Sequence, residues 1–266
     1  MKLSSISSSS KGNCILVENN NSSILVDVGI SRKKAEEGLE FFGKKPENID
    51  GIVITHEHSD HIKGLGVFLR KYQVPVYATE GTINCILNNK TVGKVDSDLF
   101  NVIKPDRDFS IKDIELLPLH ISHDAADPVA YTVKHAEDLS KKIGVVTDLG
   151  EYNESQIEIL QNCGILLAES NHDRKMLEVG PYPYETKRRI MSKYGHLSND
   201  DCSDFVNHLL HDNMKTLLLG HLSKNNNYEL LAYETVRHGI DSGEHEYRAN
   251  DIRVTNSDKP SDIIVI

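Results

Sequence analysis

Apolar residues in this chain gather in short runs between polar turns, and their spacing sets the elements. Residues 14–17 and 24–28 read as strands on either side of a turn at Asn19-Asn20-Asn21-Ser22. A helix-like segment follows at 32–42, then a strand at 51–54 and a helix-like segment at 60–72. Residues 74–77 read as a strand and 80–87 as a helix. Four consecutive strands follow at 109–111, 114–119, 129–133 and 143–147. After Asp148 the pattern alternates: helix 153–161, strand 165–168, helices 184–193 and 199–211, strand 216–219, helix 228–238 and strand 263–266. Ser198 is placed to cap the helix that starts at Asn199. Two strand-rich halves with interspersed helices predict a layered α/β (α+β) fold whose sheets face each other.

One stretch does not serve a core: Thr55-His56-Glu57-His58-Ser59-Asp60-His61, directly after the apolar run Ile52-Val53-Ile54. Imidazole nitrogens and carboxylate oxygens are ligands for divalent metals. His56 and His58, two positions apart, share one side of an extended segment, while Asp60 and His61 follow where the chain turns. That spacing points to two adjacent metal ions. Further candidates close other apolar runs: Asp27, His123, Asp148 and His221. Strand ends hold such geometry better than free loops do.

Composition limits the rest. The 266 residues are 38% hydrophobic and 26% charged, which suits a globular chain. No apolar run approaches the roughly 20 residues that span a bilayer, and the N-terminus leads into serines, not an apolar signal segment. A cytoplasmic protein without membrane attachment is expected. Cys14, Cys85, Cys163 and Cys202 are too scattered for a zinc knuckle or disulfide framework and read as small buried residues. A net charge of -10 argues against broad coating of nucleic acid. It leaves room for a nuclease, because two bound cations would reverse the field in the cleft.

These motifs together resemble the metallo-β-lactamase-fold hydrolases. Asp27, His56-x-His58-x-Asp60-His61, His123, Asp148 and His221 match that family's five motifs in order. The resemblance implies a four-layer αββα sandwich formed by residues 1–266 as one domain. It implies one metal on His56, His58 and His123, another on Asp60, His61 and His221, Asp148 bridging, and Asp27 orienting the ligands from behind. The ions would be Zn²⁺ or Mn²⁺, with Fe²⁺ also compatible. Ala168-Glu169-Ser170-Asn171-His172-Asp173 and Gly195-His196-Leu197-Ser198 resemble the glutamate and histidine of RNase Z-like and RNase J-like phosphodiesterases. Only 73 positions separate Asp148 from His221, too few for a β-CASP insertion. In length and detail the chain is most similar to the compact WalJ/YycJ-like group.

That resemblance implies a two-metal phosphodiesterase, a 5′-to-3′ exonuclease on DNA more than RNA, with single-stranded or 5′-ended DNA as its partner. A hydroxide shared by the metals would be the nucleophile. Asp60, Glu169 and His196 form the implied catalytic set, with Glu169 orienting His196 as general acid. Ser8, Asn13, Asn171, His172 and Ser198 are candidate substrate contacts. His172 and Asn171 read equally as structural, and Lys187, Arg188, Arg189 and Lys193 as either a backbone-binding stripe or a solvated helix face. His120 reads as structural; His135, His208, His211, His238 and His245 read as solvated. The rival functions are a metal-dependent hydrolase of small esters, thioesters or lactones, and a non-catalytic metal-stabilised regulatory or binding protein.

Overall fold

The computed structural model describes residues 1–242 and 251–266. In the first sheet, β1 (Lys2–Ser7), β2 (Cys14–Glu18), β3 (Ser23–Val26), β4 (Gly51–Val53), β5 (Val76–Thr79) and β6 (Phe100–Ile103) lie in chain order. The second sheet holds β7 (Phe109–Ile111), β8 (Ile114–His120), β9 (Val129–His135), β10 (Asp138–Val146), β11 (Ile165–Glu169), β12 (Thr216–Gly220) and β13 (Ile252–Val254), again in chain order. The closing strand β14 (Ile264–Val265) returns to the first sheet and pairs antiparallel with β1. Each sheet is antiparallel at one side and parallel at the other. β3 to β6 are parallel in the first, β10 to β13 in the second.

Strand alternation builds three apolar layers. Val17, Ile24, Val26 and Val53 point inward, against Leu116, Tyr131, Val133, Val145, Leu167 and Leu218 of the other sheet. Their neighbours Leu16, Leu25, Ile52 and Ile54 face outward, beneath α1 (Arg32–Phe41), α3 (Leu65–Tyr72) and α4 (Glu80–Asn88). On the far side Ala130, Val146, Leu166, Ala168, Leu217 and Leu219 meet α5 (Glu154–Leu160), α8 (Asn199–Asn207) and α9 (Glu229–Asp241). Central strands are therefore apolar on both faces. Burying each large side chain stabilises by about 1.5–3 kcal/mol. The αββα sandwich implied by the sequence is the observed architecture.

Several elements are not evident from the periodicity. β1 is serine-rich, yet Ser4, Ser5 and Ser7 are buried, because pairing with β2 and β14 satisfies its backbone. β6 and β13 carry little burial and lie at sheet edges. The short α6 (Arg174–Val179) starts on Asp173, whose side chain accepts from Met176 N–H. The helix expected over 60–72 breaks into α2 (Ser59–Ile62) and α3 at Gly64, whose N–H donates to Val28 O. A Cβ there would lie 1.8 Å from Ile30 O, so the close approach requires glycine. The helix expected over 184–193 is α7 (Tyr184–Ile190) and ends three residues early. Cys85 is exposed and His135 buried, opposite to expectation. His245 lies outside the described residues. No helix among the described residues is long and apolar enough to cross a membrane.

Candidate metal centre

The site lies along one edge of the sandwich, where strands end. Asp27 follows β3, His56 follows β4, His123 follows β8, Asp148 follows β10, Glu169 ends β11 and His221 follows β12. Asp27, Asp148 and His221 each take a left-handed backbone, with φ of 62°, 60° and 55°. Such conformations cost of order 1 kcal/mol or more and gather where function over-determines the chain. Here they turn each side chain across the strand ends. Two other residues fix the peptide groups of His221. Ser8 Oγ accepts from its N–H at 3.0 Å, and Asn171 Nδ2 donates to its carbonyl at 2.9 Å.

Donor atoms converge in groups. His56, His58 and His123 form one; Asp60, His61, Asp148 and His221 form another; Asp148, Glu169, His196 and His221 form a third. Each of the five ligand-type imidazoles commits one nitrogen to a hydrogen bond that fixes its tautomer. His56 Nδ1–H donates to Thr55 Oγ1 at 3.0 Å, and His61 Nδ1–H to Asp27 Oδ2 at 2.8 Å. His123 Nδ1–H donates to Gly195 O at 3.1 Å, His221 Nδ1–H to Glu169 Oε1 at 2.7 Å, and His58 Nε2–H to Asp124 O at 3.2 Å. The other five nitrogens face the interior, where they would offer lone pairs to a cation, as metal-binding histidines do. His58 Nδ1 and His123 Nε2 face each other at 3.2 Å. With their protons committed elsewhere, a cation reconciles the two lone pairs.

The carboxylates complete the set. His221 Nε2 lies 3.2 Å from Asp60 Oδ2 and 3.6 Å from Asp148 Oδ1. His61 Nε2 lies 3.1 Å from Asp148 Oδ2, and His123 Nε2 3.7 Å from Asp148 Oδ1, so Asp148 stands between the two groups. His56 Nε2 and Asp148 Oδ2 are buried and make no geometrically sound hydrogen bond. A buried lone pair without a partner is costly unless an ion takes it. These residues fit divalent metal binding.

Electrostatics agree. Burial opposes ionising Asp148, but His221, His61 and His56 outweigh it and hold the carboxyl well below its ordinary range. Asp60 is lowered likewise, against burial, by His61 and His221. Burial opposes charging His61 and His221 too. Asp148 leads the carboxylates that override it, pushing His61 well above its usual range and His221 up to about 10. The site thus attracts positive charge, which a divalent cation would supply instead of protons.

Glu169 is buried with both oxygens engaged. Oε1 accepts from His221 Nδ1–H and, at 2.9 Å, from His196 Nδ1–H; Oε2 accepts from Leu149 N–H at 2.9 Å and Leu197 N–H at 3.2 Å. Burial raises its pKa, but His196 leads the groups that bring it down to about 2. His196, with Nδ1 committed, leaves Nε2 for a reacting atom, and its side chain is 12% exposed. Gly195 permits this turn, since a Cβ there would lie 2.0 Å from Ile190 O.

Other candidates fare differently. Ser8 and Ser198 spend their hydroxyls inside the protein, and Asn171 its amide nitrogen; Ser198 caps α8 by accepting from Asp201 N–H at 3.1 Å. Asn13 places its amide nitrogen 3.1 Å from His61 Nε2 and 3.4 Å from Asp60 O. His172 is 2% exposed, and burial lowers its pKa to about 4. Thr55 is a site residue that sequence reasoning missed, although it opens the histidine-rich stretch. Its N–H and hydroxyl donate to the two Asp27 oxygens, both at 2.9 Å. Glu169's bond to His221 was equally illegible, as 52 positions separate the two.

The metallo-beta-lactamase superfamily model matches residues 10–149. Exodeoxyribonuclease WalJ of Streptococcus pneumoniae serotype 2 (strain D39) is 39% identical over 235 residues, 88% of this chain and 86% of the relative. Exodeoxyribonuclease YycJ of Bacillus anthracis is 36% identical over 236 residues, covering 89% and 88%. Among solved structures, the metallo-beta-lactamase fold protein YhfI from Bacillus subtilis superposes with a TM-score of 0.68 at 16% identity, covering 98% of this chain and 99% of that one. That likeness shows a shared fold.

Proposed function

The chain belongs to the metallo-β-lactamase superfamily, and from that premise we propose a metal-dependent nuclease: a two-metal phosphodiesterase digesting DNA from its 5′ end. The supporting observation is the Glu169–His196 pair, 2.9 Å apart at the edge of the ligand cluster. Hydrolysis of a diester expels an alkoxide, which leaves far more readily when protonated. A positioned imidazolium supplies typically 10²–10⁴-fold. The relatives named exodeoxyribonucleases point to the same substrate class.

In this reading His56, His58 and His123 hold one ion, Asp60, His61 and His221 the other, and Asp148 serves both. Zn²⁺ or Mn²⁺ suits five imidazoles and two carboxylates, with Fe²⁺ also compatible. The ions, when bound, would lower the pKa of a water and offset charge on the phosphoryl oxygens. Asp27 and Glu169 hold ligand imidazoles in orientation. Glu169 also fixes His196 so that Nε2 delivers its proton to the departing oxygen. The substrate is a single-stranded or 5′-ended DNA in the cytoplasm.

The test uses end-labelled single-stranded DNA and RNA with Zn²⁺-loaded or Mn²⁺-loaded protein, read as product ladders. Mononucleotides released from the 5′ end of DNA are expected. H196A should retain its metal and lose the cleavage. Undiminished cleavage by that variant, or turnover confined to small esters, would overturn the reading.

A further inference from the structure

Next to His196 the surface opens into a cleft of about 850 Å³, the size of a site for one small-molecule ligand. Two large side chains of its lining face solvent, Tyr184 at 71% exposure and Met191 at 55%. Two cations line it without a carboxylate partner among the described residues. Lys187 donates to the Glu178 carbonyl, and Lys193 lies 4.9 Å from the Tyr194 ring centre. Arg174 also lines the cleft but is paired with Asp201. Glu151 and Glu178 line it as well. His172 adds a buried Nδ1 that has no hydrogen-bond partner. Exposed aromatic and thioether surface interleaved with lysines is what a stacked base and a phosphate require.

Resting on the nuclease reading above, we propose that this cleft receives the departing 5′-terminal nucleotide, with Lys187 and Lys193 taking its 5′-phosphate and Tyr184 and Met191 its base. A water oxygen, having lost a proton to solvent, bonds to phosphorus as the P–O3′ bond breaks. The bonding pair departs with O3′, which takes the proton from His196. The products are a nucleotide with a free 3′-hydroxyl and a shortened strand with a new 5′-phosphate. The departing unit must therefore sit on the His196 side. In digestion from the 5′ end that unit is one nucleotide, which the cleft accommodates. In digestion from the 3′ end it would be the whole polymer. Each cycle also regenerates the 5′-phosphate that the lysines would recognise.

The test compares 3′-labelled single-stranded DNAs of one sequence bearing either a 5′-phosphate or a 5′-hydroxyl, cleaved by the Mn²⁺-loaded full chain. The 5′-phosphorylated strand is expected to show kcat/KM about tenfold higher or more, the worth of one charge-assisted hydrogen bond. K187Q/K193Q should bring the ratio close to one, chiefly through KM, while K187R/K193R keeps it. Equal rates in the unaltered protein, or a preference that survives K187Q/K193Q, would overturn this inference and leave the nuclease reading intact. Cleavage of neither strand would instead sink the nuclease reading, and this inference with it.

Discussion

Glu169 Oε1 lies 2.7 Å from Nδ1 of His221, a ligand-type imidazole, and the same oxygen also accepts from His196 at 2.9 Å. One buried carboxylate thus orients a residue of the metal cluster and the proposed proton donor. E169Q should therefore lower kcat on a natural diester by about 10²–10⁴-fold and weaken metal binding by about 10–100-fold. H196A should lower kcat alone. Competition with a fluorescent chelator separates the two effects. An E169Q protein with unaltered metal affinity would refute the orienting role toward His221.

Asp27 makes the corresponding contact on the other side, bonding His61 while receiving both donors of Thr55. D27N is expected to loosen the metal by about 10–100-fold, with a smaller loss for T55V. Metal content after dialysis against graded chelator provides the measurement. Equal retention by D27N and the unaltered protein would show that Asp27 does not tune the ligand.

Gly29 packs where a Cβ would fall 1.6 Å from Asp60 O. G29A must move the turn that carries Asp60. Overpacking of this kind costs about 1–3 kcal/mol. A Tm lower by several degrees is expected, at about 2–4 °C per kcal/mol for a chain approaching this size. Calorimetry would check it; an unchanged Tm would mean that the turn yields freely.

Metal removal should destabilise the fold. The cluster concentrates buried carboxylates and imidazoles that an ion would satisfy. At a free ion concentration of 100 times Kd, binding contributes about 2.7 kcal/mol. Thermal unfolding with and without EDTA should show that loss, restored by added Zn²⁺ or Mn²⁺. A Tm indifferent to EDTA would argue against tight metal binding.

His172 gives a pH dependence of defined sign. Burial lowers its pKa from the ordinary 6.5 to about 4. Between those values the unfolded chain binds the proton and the folded chain does not. Stability is therefore full above about pH 6.5 and declines as pH falls toward 4, by on the order of 3 kcal/mol for this residue. H172N should unfold in urea with a shallower decline between pH 7 and pH 4.5 than the unaltered protein. Parallel declines would show that His172 is not the group responsible.

Much of this site is legible in sequence because its candidate ligands cluster locally or terminate apolar runs. His56, His58, Asp60 and His61 are fixed within six residues, and Asp27, Asp148 and His221 mark points where parallel strands stop. The strands themselves are legible where both faces are buried, as with Ile24–Val26. Serine-rich β1 and the sparsely buried β6 and β13 are not, because backbone pairing with other strands specifies them, in β1 partly with β14 at the far end of the chain.

The sequence by itself therefore determined the candidate ligand types, their order and the layered architecture, since periodicity and local spacing are one-dimensional properties. Only the tertiary structure decided which nitrogen of each histidine is committed and that Glu169 serves two imidazoles. It likewise showed that Ser8 and Asn171 hold the backbone of His221 and that Lys187 and Lys193 flank His196. Those relationships join residues up to 213 positions apart. Distance and direction between such groups exist only after the strands have packed, so no local pattern encodes them.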